Sequence, residues 1–383
     1  MTDPQATRSP DGAVVASALV LTAVGVLMNY STTAALEIGE TLPPLAVRHA
    51  AGVAFALLCA ALAARLPLRV WESSALWLWT GSTALLIATL LFGLEANGAR
   101  RWLLIPGLPV AIQAAEPARL ATALAVAAVL ANATPKSLGS RALLQRVALL
   151  VAPPVALMLL QPDFGGAVML CAVVGLVLFA AGLPLRTLAL PGAVGAAGIA
   201  LYVAVRPYAQ ARVRGFIDPW QSAHDEGFQL VQSFVAFGRG GTFGVGVGNG
   251  LQKLDYLPEA HTDFILSVIA EELGLVGVLG VLGCFAALCW AGLRIARHAR
   301  QPFPLLVATA CTALVVVPAL CNAAVVMGLL PTKGLTLPFL SHGSNSLVCS
   351  ALAVGILLRA GREPSGVPRQ ARAATGTRRL ARA

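Results

Sequence analysis

Residues Tyr256–Leu273 read YLPEAHTDFILSVIAEEL. Pro258 cannot sit inside a helix, so a loop persists at least to there. From Phe264 the residues turn apolar and stay so to Trp290. Asp263 is therefore expected at a membrane surface, in the first turn of a spanning segment. About 12 Å deeper, at roughly 1.5 Å per residue, come Glu271 and Glu272. Ionisable groups at that depth are costly enough to count as functional candidates. At about 100° per residue, Glu271 lies some 80° around the helix from Asp263 and Glu272 about 180°. At most one shares an Asp263 cleft, and Glu271 is the better choice. For Glu272 the plainer expectation is an interhelical hydrogen bond or ion pair.

The rest of the chain agrees with a membrane setting. Of 383 residues 57% are hydrophobic and only 11% charged, and the mean hydropathy is +0.79. Soluble domains carry about 25% charge. The expected class is an all-α polytopic membrane protein. Seven cysteines lie in apolar runs without a CxxC pair, which suggests neither a disulfide framework nor a zinc site. Met1–Gly12 holds two Asp and one Arg, with no small-residue cleavage site after the first apolar run, so no signal peptide is expected.

Ten apolar stretches are expected to span, at 13–29, 45–64, 74–93, 117–133, 146–160, 164–183, 187–205, 263–292, 304–328 and 341–360, the fifth short and the eighth long. Ten spans put both termini on one side. With that side cytoplasmic, its segments hold 17 of the 27 Lys+Arg, which sets the orientation. The net charge of +10 is thus explained by anionic lipid, and nucleic acid is not needed. The expected layout is a cytoplasmic N-terminus (1–12), a membrane domain (13–360) with a large extracytoplasmic loop at 206–262 between the seventh and eighth spans, and a disordered basic tail (361–383).

Three outer segments carry the polar chemistry: Glu95–Glu116, the loop from Arg206 to Thr262, and Pro331–Leu340. A 57-residue loop exceeds what a connection requires. Within it Gly227–Phe237 has helical apolar spacing suited to the interface. Seven glycines follow in Gly238–Gly250. No GK[ST] or strand–helix frame accompanies them, so they read as a hinge or lid rather than a nucleotide loop. Asp263 has a plain alternative as a helix-start acid bonding free N–H groups. Pro258, Glu259, His261 and Thr262 crowd polar groups beside it, and the basic loop offers anion partners. Arg100, Arg101 and Trp102 form a basic–aromatic cluster that suits an interfacial anchor or an anion-and-sugar site. Glu116 before Pro117 and Asp163 in QPDFGG suit helix starts. Lys333 is either a snorkelling residue or a phosphate contact. Ser341, His342 and Asn345 start the last span and face the same side.

GARRW (Gly98–Trp102), IQ..E (Ile112–Glu116), QPDFGG (Gln161–Gly166), KLDYLPEAHTDFILSVIAEELGLVG (Lys253–Gly277) and LLPTKGLTLPFLS (Leu329–Ser341) together resemble the FtsW/RodA (SEDS) family of bacterial cell-wall glycan polymerases. The match covers most of the membrane region, in order and on the expected side. PTKGLTLP resembles the division branch more than the elongation branch. The sequence also departs from the family pattern. Ala114, Ala115 and Pro117 replace Pro, Ser and Phe of IQPSEF, and SHGSNS at Ser341–Ser346 replaces SYGGSS.

The resemblance implies that Asp263 is the residue on which polymerisation depends. The implied substrate is lipid II, an undecaprenyl pyrophosphate bearing a disaccharide-peptide. The implied partners are a class B penicillin-binding transpeptidase and other divisome proteins of the inner membrane, at the septum. The implied β-1,4 linkage forms with inversion from an α-linked pyrophosphate. That chemistry asks for a base toward the incoming 4-hydroxyl, and Asp263 is the choice. It also asks for cations toward the departing pyrophosphate. Those are drawn from Arg100, Arg101, Arg206, Arg212, Arg214, Lys253 and Lys333, with Lys333 and Arg101 first. Trp102, Glu116, His261, Thr262 and Ser341 complete the expected substrate contacts. No metal ligands are assigned, although a divalent cation held by Asp263 is an alternative to its acting as base. Two competing functions remain at this point: a lipid II transporter, which intramembrane acids would suit, and a non-catalytic divisome scaffold.

Overall fold

The computed structural model describes residues 11–36, 43–96, 99–104, 111–134 and 137–362. The expected cytoplasmic N-terminus up to Pro10, Gly98, Lys136 and the basic tail from Glu363 lie outside the described residues. Three helices come first: α1 (Gly12–Leu36), α2 (Pro44–Arg65) and α3 (Leu68–Phe92). A small antiparallel sheet follows, β1 (Leu94–Ala96), β2 (Ala99–Leu104) and β3 (Ala111–Gln113), in that spatial order. Then come α4 (Ala115–Ala131), α5 (Arg141–Leu160), α6 (Phe164–Ala180), α7 (Leu185–Val205), α8 (Pro207–Ile217) and α9 (Phe228–Gly240). After a π-helical turn at Gln252–Tyr256 the chain ends in α10 (Ile265–His298), α11 (Pro302–Val326) and α12 (Ser344–Gly361).

Each of the ten predicted spans is a helix, and eight are long and apolar enough to cross a membrane. The protein is an all-α polytopic membrane protein. The two shorter ones, α4 and α6, have 17 residues each, about 25 Å of helix against a hydrocarbon core of roughly 30 Å. Burial explains how α4 tolerates this. Thirteen of its residues are buried, because its alanines let α3, α5, α6, α11 and α12 approach closely. Eighteen of the 25 residues of α11 are buried as well. At the other extreme, α7 has no buried residue.

The chain between α9 and α10 corrects one expectation. Gly227–Phe237, expected as an interfacial helix, falls in α9, which packs beside the first turns of α10 with Leu230, Val231, Ser233, Ala236 and Gly240 buried. The Ser233 and Ser267 hydroxyls bond at 2.9 Å, and Gly240 lies against the Ala270 carbonyl. The glycine run then splints a break in α10 rather than acting as a free hinge. At Gly274 the helix adopts φ 67°, ψ −164°, in the left-handed half of the map that side chains avoid. The break frees backbone groups on both sides. Leu275 and Val276 N–H donate to the Gly241 and Thr242 carbonyls (2.9 and 3.2 Å), and Val245 and Gly246 N–H donate to the Glu271 and Glu272 carbonyls (2.9 and 3.0 Å). Gly244 lies so close to the Glu272 carbonyl that a Cβ would collide with it. Irregular backbone at membrane depth must be satisfied by protein, and this pairing satisfies it.

Glu271 and Glu272 complete the splint. Both are 0% exposed. Glu271 does not reach an Asp263 cleft. It pairs with Arg239 at 2.8 Å and accepts from Leu251 and Gln252 N–H at 3.0 and 3.1 Å. Glu272 pairs with Lys253 at 2.7 Å and accepts from Gly248 N–H at 3.0 Å and Ser31 Oγ at 2.9 Å. Paired and hydrogen-bonded on all sides, two charges can stay buried.

Candidate active site

Asp263 sits in the turn before α10, half-buried. The helix-start reading is not what the geometry gives. Phe264 is the N-cap, and no side chain caps α10. Among the described residues the Asp263 carboxylate accepts no hydrogen bond. Asp163, by contrast, does cap its helix, accepting from Gly166 N–H at 3.0 Å. Burial pushes the Asp263 carboxyl up from 3.8 to about 7, the nearby Glu259 carboxylate adds to this, and Arg212 partly offsets it. Glu259 takes a left-handed backbone, φ 58°, rare for a side-chain-bearing residue. Its carboxylate accepts from Thr262 Oγ1 at 2.6 Å. The expected contact residue Thr262 is thus occupied in holding Glu259.

The backbone under Asp263 is held firmly. Three consecutive carbonyls are each taken by a donor from the α11–α12 region. His342 N–H donates to His261 O at 2.8 Å, Ser341 Oγ to Thr262 O at 2.5 Å, and Asn322 Nδ2 to Asp263 O at 2.7 Å. His261 also meets the His342 ring edge-on, with centroids 5.9 Å apart. Burial and His261 push the His342 imidazole below its ordinary value. Asn345 donates to the Ala111 carbonyl at 2.8 Å and ties α12 to β3.

A cationic cluster lies alongside. The Lys333 ammonium stands 5.1 Å from the centroid of the Phe164 ring and over Gly165, where any side chain would strike it. It makes no hydrogen bond or ion pair among the described residues. Burial lowers it from 10.5 to about 8; Asp163 opposes that shift, and the positive charges of Arg101 and Arg212 add to it. Arg101 is anchored to the α5–α6 turn through the carbonyls of Gln161 (3.2 Å) and Pro162. Arg212 donates to Thr332 O at 2.7 Å. The next residue after Lys333 meets the acid: a Cβ on Gly334 would lie 2.9 Å from Asp263 Oδ2. The free carboxylate and three cations therefore border one region.

The other expected residues are placed differently. Arg100 pairs with Glu95 at 3.2 Å on the exposed face of the sheet. Trp102 is half-buried on β2, opposite Gln113. Glu116 lies inside the first turn of α4, after the N-cap Ala114, and is ion-paired to Arg119. Lys253, expected at the substrate, is buried in the Glu272 pair. Arg206 and Arg214 are exposed. Ser341 holds backbone, accepting from Leu337 N–H at 2.7 Å while donating to Thr262. Sequence reading placed Glu259 beside Asp263 but missed Asn322. A lone Asn within an apolar helix was the available signal for it. Among the described residues no three metal-ligating side chains cluster; Asp263 with Glu259 is the oxygen pair that would suit a hard divalent cation.

Residues 12–365 match the model of the FtsW, RodA and SpoVE family of cell cycle proteins. This chain belongs to that family. Relatives within it include a probable peptidoglycan glycosyltransferase FtsW of Halomonas elongata, 40% identical over 91% of this chain and 89% of its own. The protein of the same name from Halorhodospira halophila is 44% identical over 82% of this chain and 78% of its own. Among solved structures, a chain of a peptidoglycan synthase complex that coordinates polymerization and crosslinking is similar at TM-score 0.77. It shares 28% identity, covering 94% of this chain and 99% of that one. The rod shape determining protein RodA of Thermus thermophilus is similar at TM-score 0.70, also with 28% identity over 94% and 99%. The FtsW/RodA/SpoVE frame thus spans nearly the whole chain, with Asp263, Arg101 and Lys333 inside it.

Proposed function

We propose that this chain is a peptidoglycan glycosyltransferase of the division type, polymerising lipid II in the inner membrane. The observation that carries the reading is a single one. The Asp263 carboxylate has no hydrogen-bond partner among the described residues, is raised to about 7, and abuts the loop that carries Lys333.

A general base works best with its pKa near the operating pH and within reach of the proton it takes. Asp263 removes the proton from the 4-hydroxyl of the incoming sugar. That oxygen attacks the anomeric carbon of the growing chain from the face opposite the pyrophosphate. The new C–O bond forms as the old one breaks, which inverts the centre. The bond's electron pair leaves with the pyrophosphate, whose growing charge is met by Lys333, Arg101 and Arg212. Fixed cations of this kind need little reorganisation at the moment of reaction. A divalent cation, if bound by Asp263 and Glu259, would supply further charge neutralisation there. Phe164 stacks on Tyr202 of α7 with centroids 4.8 Å apart, so the unburied α7 flanks the cationic cluster on the bilayer side. A carrier whose tail stays in lipid can reach the cluster from there.

The Lys/Arg bias supports cytoplasmic termini and a site on the outer face. A class B penicillin-binding transpeptidase as partner, other divisome proteins, and a septal location follow from the division-type reading. The transporter reading leaned on Glu271 and Glu272, which are tied into the splint and offer no polar path.

The test is polymerisation of lipid II by the purified protein with its transpeptidase partner inactivated. Wild type is expected to make long glycan, and Asp263→Ala and Asp263→Asn none. Polymer at the wild-type rate from either variant removes Asp263 from the mechanism. No polymer from wild type, with transbilayer movement of lipid II instead, would favour the transporter.

A further inference from the structure

Asp263 has an unsolved mechanical problem. Among the described residues its carboxylate has no hydrogen bond to fix it, so its aim depends on its backbone. Asn322, 1% exposed in α11, is the side chain that takes the carbonyl of Asp263 itself. Its Nδ2 donates both to Asp263 O at 2.7 Å and to Leu335 O at 2.5 Å. Leu335 lies two residues after Lys333, and Leu335 N–H bonds back to Lys333 O at 2.9 Å. One amide group therefore bridges the segment carrying the acid and the segment carrying the cation. Its Oδ1 is buried without a partner, an expense of roughly 1–3 kcal/mol that a purely packing residue would not incur. Leucine or alanine at this point would remove the unmatched oxygen, but it would also take the donor away from the Asp263 and Leu335 carbonyls, and the amide is kept for those two bonds.

We propose that Asn322 is a positioning residue: it sets the register between the Asp263 carboxylate and the Lys333 ammonium by clamping the two carbonyls. This rests on the glycosyltransferase reading and goes further by naming what aims the base. The geometry leaves little slack. Gly334, between Lys333 and Leu335, already comes within 2.9 Å of Asp263 Oδ2 when given a Cβ. Without the clamp the two segments separate, Asp263 becomes better hydrated, and its carboxyl falls back toward the ordinary range. A misplacement of about 1 Å can cost on the order of 10²-fold in rate.

The experiment uses the full chain with its inactivated transpeptidase partner, comparing wild type, Asn322→Leu and Asn322→Ala on lipid II. Leucine keeps the volume and removes the donors; alanine removes both. For each, kcat, KM, the pH profile of kcat and the apparent Tm in detergent are measured. The expected result is kcat down by about 10- to 100-fold with KM changed by less than about threefold. The acid limb of the profile moves to lower pH, and Tm stays within several degrees of wild type for at least the leucine variant. Two results overturn the proposal. One is wild-type kcat and acid limb in either folded variant. The other is a fall in kcat that only tracks the loss of folded protein, with the acid limb unmoved. Failure of wild type to polymerise is a separate outcome; it overturns the glycosyltransferase reading, and this inference with it.

Discussion

Three acids stand within ten residues on one helix start, and the protein treats them in opposite ways. Glu271 and Glu272 are fully buried and every oxygen has a donor: Arg239, Lys253, Ser31 and the N–H groups of Gly248, Leu251 and Gln252. Asp263 is only half-buried and has none among the described residues. The pair stabilises a broken helix. The single acid is held in an environment that disfavours its charge. Depth alone therefore does not mark a functional carboxylate; being left without a partner while neighbours are supplied with them does.

The sharpest way to break this contrast is to exchange readouts. Asp263→Ala should lower glycan polymerisation by about 10³-fold or more, within the range a positioned base contributes together with its site, without lowering Tm. Lys253→Met should do the reverse. Removing one partner of a buried ion pair costs about 3–5 kcal/mol, read as a large drop in Tm, and the fraction that folds should keep its turnover. If Asp263→Ala unfolds the protein and Lys253→Met does not, the two acids' roles have been assigned backwards.

Next in size are the cations. Lys333→Met and Arg101→Ala should each cut kcat/KM by about 10²- to 10³-fold, since removing one preorganised group aimed at developing charge commonly costs about 2.7–4 kcal/mol. The pH profile should be narrow. In the proposed mechanism Asp263 must be deprotonated to accept a proton, so activity should fall as pH drops through about 7. Lys333, in the same mechanism, must be protonated to meet the pyrophosphate, so activity should fall again as pH rises through about 8. Glu259→Gln removes a negative neighbour and should move the acid limb downward. An unmoved limb would assign it to another group.

A smaller effect tests the strain on Asp263 itself. Its folded carboxyl lies near 7 against 3.8 ordinarily, so between those values the folded chain binds the extra proton and stability declines as pH rises. Above about 7 the full penalty is present. Asp263→Asn should therefore melt above wild type at pH 8, with the gap closing toward pH 4. Smallest of all, Arg100→Ala breaks an exposed pair with Glu95 and should change stability by less than about 1 kcal/mol.

The membrane helices were legible because spanning length and apolar runs are one-dimensional signals. Asp263 was legible because a proline, a polar turn and an apolar helix start bracket it. What was not legible depends on which residues meet across the fold. Lys253 has the composition of a phosphate contact, yet its partner is Glu272, nineteen positions away, with Ser31 from the far end of the chain. The glycines at 241–246 look mobile in sequence because close backbone approach and free rotation demand the same residue. Asn322 and Leu335 become neighbours only once α11 and the following loop have folded back.

The bare flank of α7 carries one more consequence. Selection on its middle turns acts on oiliness and length, since no residue of α7 is buried and the ring contact with Phe164 falls at Tyr202 in its last turn. In a saturation mutagenesis screen α7 should tolerate Leu, Val, Ala and Ile interchangeably along its middle turns. The crowded alanines of α4 should accept almost nothing larger. The two helices would then read as one permissive and one forbidding stripe in the same membrane.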